Sequence, residues 1–246
     1  MGNGSTPKLR WQIARVVDSV PETESARTIG LVVPGWGGHL AGQHIDLKLT
    51  AADGYSAQRS YSLGNPADGD RIELTVQEIV DGEVSPYLMT VRPGEEIELR
   101  GPIGGWFVWR PVDGTRNLLV AGGSGIVPLM AMLRQRITVG SAEFRLVYSV
   151  RSPADVFYAE ELRNLERNCD WLQVAVLYTR AAPPQTARPP GRIDSRDLEA
   201  PGWTAQDGFR TYVCGPTGFV ESVTTKLIDQ GHSPSVIRTE RFGPSG

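Results

Sequence analysis

Over the first hundred residues, apolar positions come in short stretches of strand character, and each stretch stops at a turn signal. These are 11–20, 28–33, 43–50, 57–63, 71–79 and 95–99, separated by Pro34-Gly35, Asp53-Gly54, Asp68-Gly69, Asp81-Gly82 and Pro93-Gly94. Closely spaced strands with little helix between them predict an antiparallel β-barrel. After Gly101-Pro102-Ile103-Gly104-Gly105 the pattern changes. A compact apolar strand at 117–121 is followed by a helix at 127–137, where Val127, Met130, Leu133 and Ile137 recur at helical spacing. A strand at 144–150, a helix at 154–167, strands at 172–178 and 209–214, a helix at 219–230 and a strand at 235–239 continue the alternation. That alternation predicts an α/β doubly wound parallel sheet. The reading is a two-domain chain: a disordered start over 1–10, a barrel over 11–110 and a parallel α/β domain over 111–246, with the changeover inside 106–116. The proline-rich segment 181–191 reads as a surface loop.

With 246 residues, the chain is long enough for two such cores without staples. Its two cysteines, Cys169 and Cys214, stand far apart with no CxxC partner, so a cysteine-ligated zinc or iron–sulfur centre cannot be assembled from this sequence. His39, His44 and His232 are scattered and show no ligand spacing, so no metal site is expected. His44, after the Gly42-Gln43 turn, falls near a flavin site or in packing, and packing is preferred. A net charge of -3 argues against general nucleic-acid binding. No apolar run reaches membrane-spanning length, and the cysteine usage fits a reducing compartment, so a cytoplasmic location without membrane contact is expected. The opening Met1 to Thr6 matches the short acylation pattern, one easily met by chance.

Three segments carry candidate chemistry. Arg59-Ser60-Tyr61-Ser62 lies on a barrel strand, where an arginine can clamp a pyrophosphate while hydroxyls reach a ring. Gly123-Ser124-Gly125-Ile126-Val127-Pro128 joins an apolar strand to a helix, a place where glycines admit a phosphate close to helix-start amides. Cys214-Gly215-Pro216 ends a later strand, at the edge where open parallel sheets bind ligands. Each taken alone has an ordinary structural explanation: edge decoration, a plain turn, a buried small residue.

In this order and on these two halves, the three segments resemble the ferredoxin-NADP reductase family, and the resemblance runs from Trp11 to Phe242. It implies an FAD-dependent NAD(P)H oxidoreductase. Arg59 and Ser60 would lie at the FAD pyrophosphate end, Tyr61 would pack on the isoalloxazine, and Ser62 would approach the flavin N5. The stretch Gly82-Glu83-Val84-Ser85 matches the family segment that ends at a small helix start, where Gly82, Val84 and Ser85 with their neighbouring amides would meet the FAD phosphates. Glu240-Arg241-Phe242 looks like the family's terminal acidic-x-aromatic element, with Phe242 covering the flavin face and Glu240 tuning charge or a proton. The aromatic is Phe where plant-type members end in Tyr, and Gly243 to Gly246 continue beyond it. Gly123, Gly125 and Pro128 would meet the nicotinamide cofactor's phosphates, and Cys214, Gly215 and Pro216 its nicotinamide. Arg151, Thr179, Arg180 and Arg192 would receive a ribose 2′-phosphate, which favours NADPH over NADH; solvated surface arginines are the other reading. The resemblance implies a separate electron-acceptor protein, a ferredoxin or an oxidase or oxygenase component. Other readings are an electron-transfer subunit of a larger oxygenase or molybdenum-enzyme system, a free flavin reductase, and a non-catalytic nucleotide-binding module. Trp106, Phe107 and Trp109 pack the halves together or form a docking face.

Overall fold

The computed structural model describes residues 9–112 and 116–243. The acylation pattern and most of the 1–10 segment lie outside the described residues. Six strands, β1 (Gln12–Thr23), β2 (Ala26–Val32), β3 (His44–Thr50), β4 (Ser56–Ser62), β5 (Arg71–Gln77) and β6 (Glu96–Ile103), form one antiparallel sheet in the order β4-β3-β6-β1-β2-β5. An antiparallel bridge between Leu63 and Leu74 brings the two edges together and closes the barrel at that end. Period-two alternation turns Ile45 and Leu47, Ile72, Leu74 and Val76, and Ile97 and Leu99 into a dry interior. A single helical turn, α1 (Ser85–Leu88), lies between β5 and β6.

The second half carries β7 (Arg116–Gly122), α2 (Ile126–Thr138), β8 (Glu143–Val150), α3 (Ala159–Asn168), β9 (Leu172–Tyr178), α4 (Ser195–Leu198), β10 (Arg210–Pro216), α5 (Thr217–Asp229) and β11 (Ile237–Phe242). Its five strands pair in parallel in the order β11-β10-β7-β8-β9. The strand order reverses between β7 and β10, so the crevice where such sheets take ligands opens at the carboxyl ends of those two strands.

The sequence places one helix over 154–167, but the helix begins at Ala159. A 3-10 turn at Pro153–Asp155 comes first, and Tyr158 takes a left-handed φ of 54°. The reason is tertiary. Phe157 and Tyr158 turn into the interior, where the Tyr158 amide donates to Glu22 at 3.0 Å and its hydroxyl bonds Thr75, both on the barrel. These contacts override the helical pattern of the segment.

Helix α2 holds the halves together. Ile126 to Leu133 are all buried, a pattern wider than one amphipathic stripe, because one side packs on β7 and β10 and the other on the barrel. Val127 rests against Gly64 and the Met132 methyl against Gly42. Arg134 donates to the Gly64 carbonyl at 2.7 Å, to Glu73 of β5, and with two nitrogens to Glu161 of α3 at 2.7 and 2.8 Å. Phe107 and Trp109 are buried in the same core, edge-on to Tyr212 and Phe144. Trp106 is not: it stays 62% exposed, with the Arg238 guanidinium 5.5 Å from its ring. Two of the aromatic trio thus pack into this core, and Trp106 does not.

Candidate functional site

A cavity of about 340 Å³ opens on the seam between the halves, walled by Ser60 and Ser62 of β4, His44 of β3, residues 104–107, and Thr239 to Phe242 of β11. Alternation along β4 turns Ser60 and Ser62 into this cavity and sets Arg59 and Tyr61 on the other face, where Tyr61 packs on the barrel core. The Ser62 hydroxyl is buried and has no hydrogen-bond partner among the described residues. A buried polar group left this way is costly unless a ligand or water completes it. Ser60 donates to Asp46 at 2.7 Å, and Asp46 is paired in turn with Arg100 at 2.9 Å.

Glu240 reaches the cavity from the other half. Burial pushes its pKa up to about 7, so near neutral pH it exchanges a proton readily. Its carboxylate lies 3.8 Å from His44 Nδ1, beyond hydrogen-bond length, and burial lowers the His44 pKa, so the pair is not an ion pair at neutral pH. His44 thus lines the cavity, with its ring close to Gly104. Cys214 sits beside Glu240 in the β10–β11 register, fully buried, with its thiol pKa raised by burial and by the Glu240 charge. Its sulfur is a neutral thiol. Phe242, paired with Pro216, is half-buried at the cavity wall.

The glycine turns after β7 and β10 are built against each other. A Cβ at Gly125 would lie 2.2 Å from the Cys214 carbonyl oxygen, so only glycine fits. Gly123 has φ +53° with open space where a side chain would begin, leaving the turn's backbone open to a ligand. Pro128 is buried in the first turn of α2, where its missing N–H costs no helix bond. Gly215 has φ +152° and backs onto Gly122.

The cations expected for a 2′-phosphate stand together at one corner of the sheet. The Arg180 amide donates to the Arg151 carbonyl at 2.9 Å and the Thr179 amide to Val150 at 2.8 Å, which joins the ends of β8 and β9. The proline-rich loop then returns, its Gly191 amide bonding the Tyr178 carbonyl at 2.9 Å, and Arg188 braces it through Asp197 and the Arg192 carbonyl. Arg151, Arg180 and Arg192 are exposed, and none makes an ion pair among the described residues. Several other arginines have a carboxylate partner, Arg59, Arg71, Arg100, Arg134 and Arg241 among them.

In the middle of β4, on the face away from the cavity, Arg59 pairs with Glu83 at 3.1 Å. Gly82 closes a turn onto Ile79, Val84 is buried, and Ser85 begins α1 with its oxygen accepting from the Ile79 amide at 3.0 Å, its hydroxyl proton still free to donate. A larger, shallower depression of about 780 Å³ runs along α3 and gathers none of the motif residues. No group of three or more His, Cys, Asp or Glu suited to a metal occurs among the described residues, and no described helix is long and apolar enough to cross a membrane.

Comparison with known proteins agrees with this division of labour. Residues 35–108 match the oxidoreductase FAD-binding domain and residues 119–225 the oxidoreductase NAD-binding domain. The chain is 29% identical over 180 residues to ferredoxin–NADP reductase B of Sorangium cellulosum, covering 71% of this chain and 73% of that protein. It is 29% identical over 212 residues to the glycine betaine monooxygenase reductase subunit of Pseudomonas aeruginosa, covering 83% of this chain but only 56% of that protein. The chain therefore spans little more than half the length of that relative. Among solved structures, the flavohaem-like FAD/NAD-binding domain of nitric oxide dioxygenase from Vibrio cholerae superposes with a TM-score of 0.81 at 25% identity, over 95% of this chain and 99% of that one. With a flavin-type barrel, a doubly wound nucleotide-binding sheet and both family models matched in order, the chain belongs to the ferredoxin-NADP reductase family of FAD- and NAD(P)-binding oxidoreductases.

Proposed function

We propose that this chain is an FAD-dependent NADPH oxidoreductase that hands electrons to a separate protein acceptor, a ferredoxin or an oxygenase component. One observation carries the reading: the unpartnered Ser62 hydroxyl, Glu240 and Phe242 meet in one cavity across the seam, with Cys214 directly beside Glu240. Bound FAD would supply the redox chemistry there, accepting hydride at N5 and releasing electrons singly. The residues fit that ring. Ser62 would donate toward its N5 edge and Phe242 would cover the face that a nicotinamide must reach, while Tyr61, on the opposite face of β4, would brace the strand against the barrel core in place of the ring contact that the resemblance implies. Arg59, Gly82, Val84 and Ser85 would hold the phosphate end, while Ser60, bonded to Asp46, would line the ring cavity beside Ser62. Glu240 would hold or release a proton at the cavity wall, and the neutral Cys214 thiol would pack beside the nicotinamide without adding charge.

Gly123, Gly125, Pro128, Gly215 and Pro216 would form the nucleotide crevice. Arg151, Thr179, Arg180 and Arg192 would grip a 2′-phosphate, and three exposed guanidiniums at one sheet corner, without carboxylate partners among the described residues, support NADPH over NADH. Exposed Trp106, at the cavity rim, would meet the acceptor. An anaerobic titration of the FAD-loaded chain tests this. Flavin absorbance should bleach with one equivalent of NADPH faster than with NADH, and Arg180→Ala should erase the difference. A chain that takes up no FAD refutes the reading; faster bleaching with NADH refutes the assignment of the arginines alone.

A further inference from the structure

The arginine assigned to the FAD pyrophosphate already has an acidic partner inside the chain. One terminal nitrogen of Arg59 donates to Glu83 at 3.1 Å and the other to the Gln58 carbonyl at 2.7 Å. The second Glu83 oxygen accepts from the Tyr55 hydroxyl, and this contact raises the Tyr55 pKa. Glu83 is thus held from two sides, by the β3–β4 hairpin and by the strand itself. It sits on the turn Gly82–Val84 that leads into α1, within the segment assigned to the FAD phosphates. Arg59 and Glu83 are both partly open to solvent, with side chains 36% and 44% exposed, so an incoming ligand can reach the pair.

We propose that Glu83 is an affinity-setting residue of the flavin site, an internal counter-ion that competes with the FAD pyrophosphate for Arg59 and keeps the cofactor exchangeable. The inference rests on the reading of Arg59 given under Proposed function. An entering pyrophosphate meets a guanidinium whose charge is already compensated. If Glu83 swings away, its bonds to Arg59 and Tyr55 are lost; if it stays, it repels the phosphates. Both routes weaken FAD relative to a chain without that carboxylate. Arg59 does not depend on Glu83 for its orientation, since the Gln58 carbonyl holds its other nitrogen. Neutralising Glu83 therefore leaves the clamp in place.

The test is a fluorescence titration of the flavin-stripped full chain with FAD and, in parallel, with riboflavin, which has the same ring and no pyrophosphate. Four proteins are compared: wild type, Glu83→Gln, Arg59→Gln and the double variant. Glu83→Gln should tighten FAD by about threefold to fivefold, the range expected for releasing one partly exposed charge pair, and leave riboflavin unchanged. Glu83→Lys should tighten it further. In the Arg59→Gln background the gain should vanish. Unchanged or weaker FAD binding in Glu83→Gln, equal tightening of riboflavin, or the same gain without Arg59 each overturns the proposal. The underlying reading has its own arm: if Arg59→Gln alone binds FAD as tightly as wild type, the pyrophosphate role of Arg59 fails whatever Glu83 does.

Discussion

Glu240 allows a prediction whose sign is distinctive. The carboxyl titrates near 7 in the folded chain against an ordinary 4.5, and burial is the cause. Below about pH 4.5 both folded and unfolded chains hold the proton, so the site costs nothing. Between 4.5 and 7 the unfolded chain releases it first, and stability falls as pH rises; above 7 the full cost is present. Raising the carboxyl from 4.5 to about 7 amounts to roughly 3 kcal/mol. His44 offers little relief, because its ring is 3.8 Å away and burial keeps it neutral. Glu240→Gln removes the titration. Thermal melts of the flavin-free chain at pH 5, 6, 7 and 8 should show variant and wild type nearly together at pH 5. The variant should lead by roughly 6 to 12 °C at pH 8, taking about 2 to 4 °C per kcal/mol for a chain of this size. A difference that is constant with pH, or one that grows toward acid, would refute the buried-carboxyl argument.

Gly125→Ala places a methyl 2.2 Å from the Cys214 carbonyl, so the two turns must separate; dinucleotide affinity should fall at least about tenfold in equilibrium titration while FAD content is retained. Arg134→Met leaves Glu73 and Glu161 facing each other across the seam without their cation, and should cost about 3 kcal/mol in urea unfolding, with a smaller loss if Glu73→Gln is added. Thiol titration of the native chain should count Cys169 alone. Cys214, fully buried with its pKa raised, should appear only on denaturation, and fast reaction of both would show the β10 turn to be open.

Strands were the most legible part of this sequence, because alternation and turn pairs such as Asp68-Gly69 act locally; β9 was expected at 172–178 and found at Leu172–Tyr178. The start of α3 was not legible. Tyr158 leaves the helical path to bond a threonine 83 residues away, and no local pattern records that. The same holds for the site. Ser62, Cys214, Glu240 and the glycine turns were visible as motifs, since each strand end has a recognisable turn. The place of His44 at the cavity wall was not legible because it depends on how β3 is set against β11, and Glu83 was visible only as part of the Gly82–Ser85 segment because its pairing with Arg59 joins residues 24 apart. Arg134 carried no signal at all: on a helix, a single arginine reads as a solvated face until the second half of the core is seen to cover it.

The double-sided burial of α2 has a consequence for how this architecture can be taken apart. A helix with only one wet edge is a poor place to divide a protein. The nucleotide-binding half, produced alone, would bare the strip of α2 that faces Gly42 and Gly64, and the barrel would bare the matching depression. Fragment complementation, domain grafting onto another oxidase, or exchange of barrels between homologues would therefore have to carry α2's outer residues and Arg134's acidic partners across together. The unit of recombination in this chain is the pair of halves, and the crossover points that preserve it lie at the outer ends of the molecule.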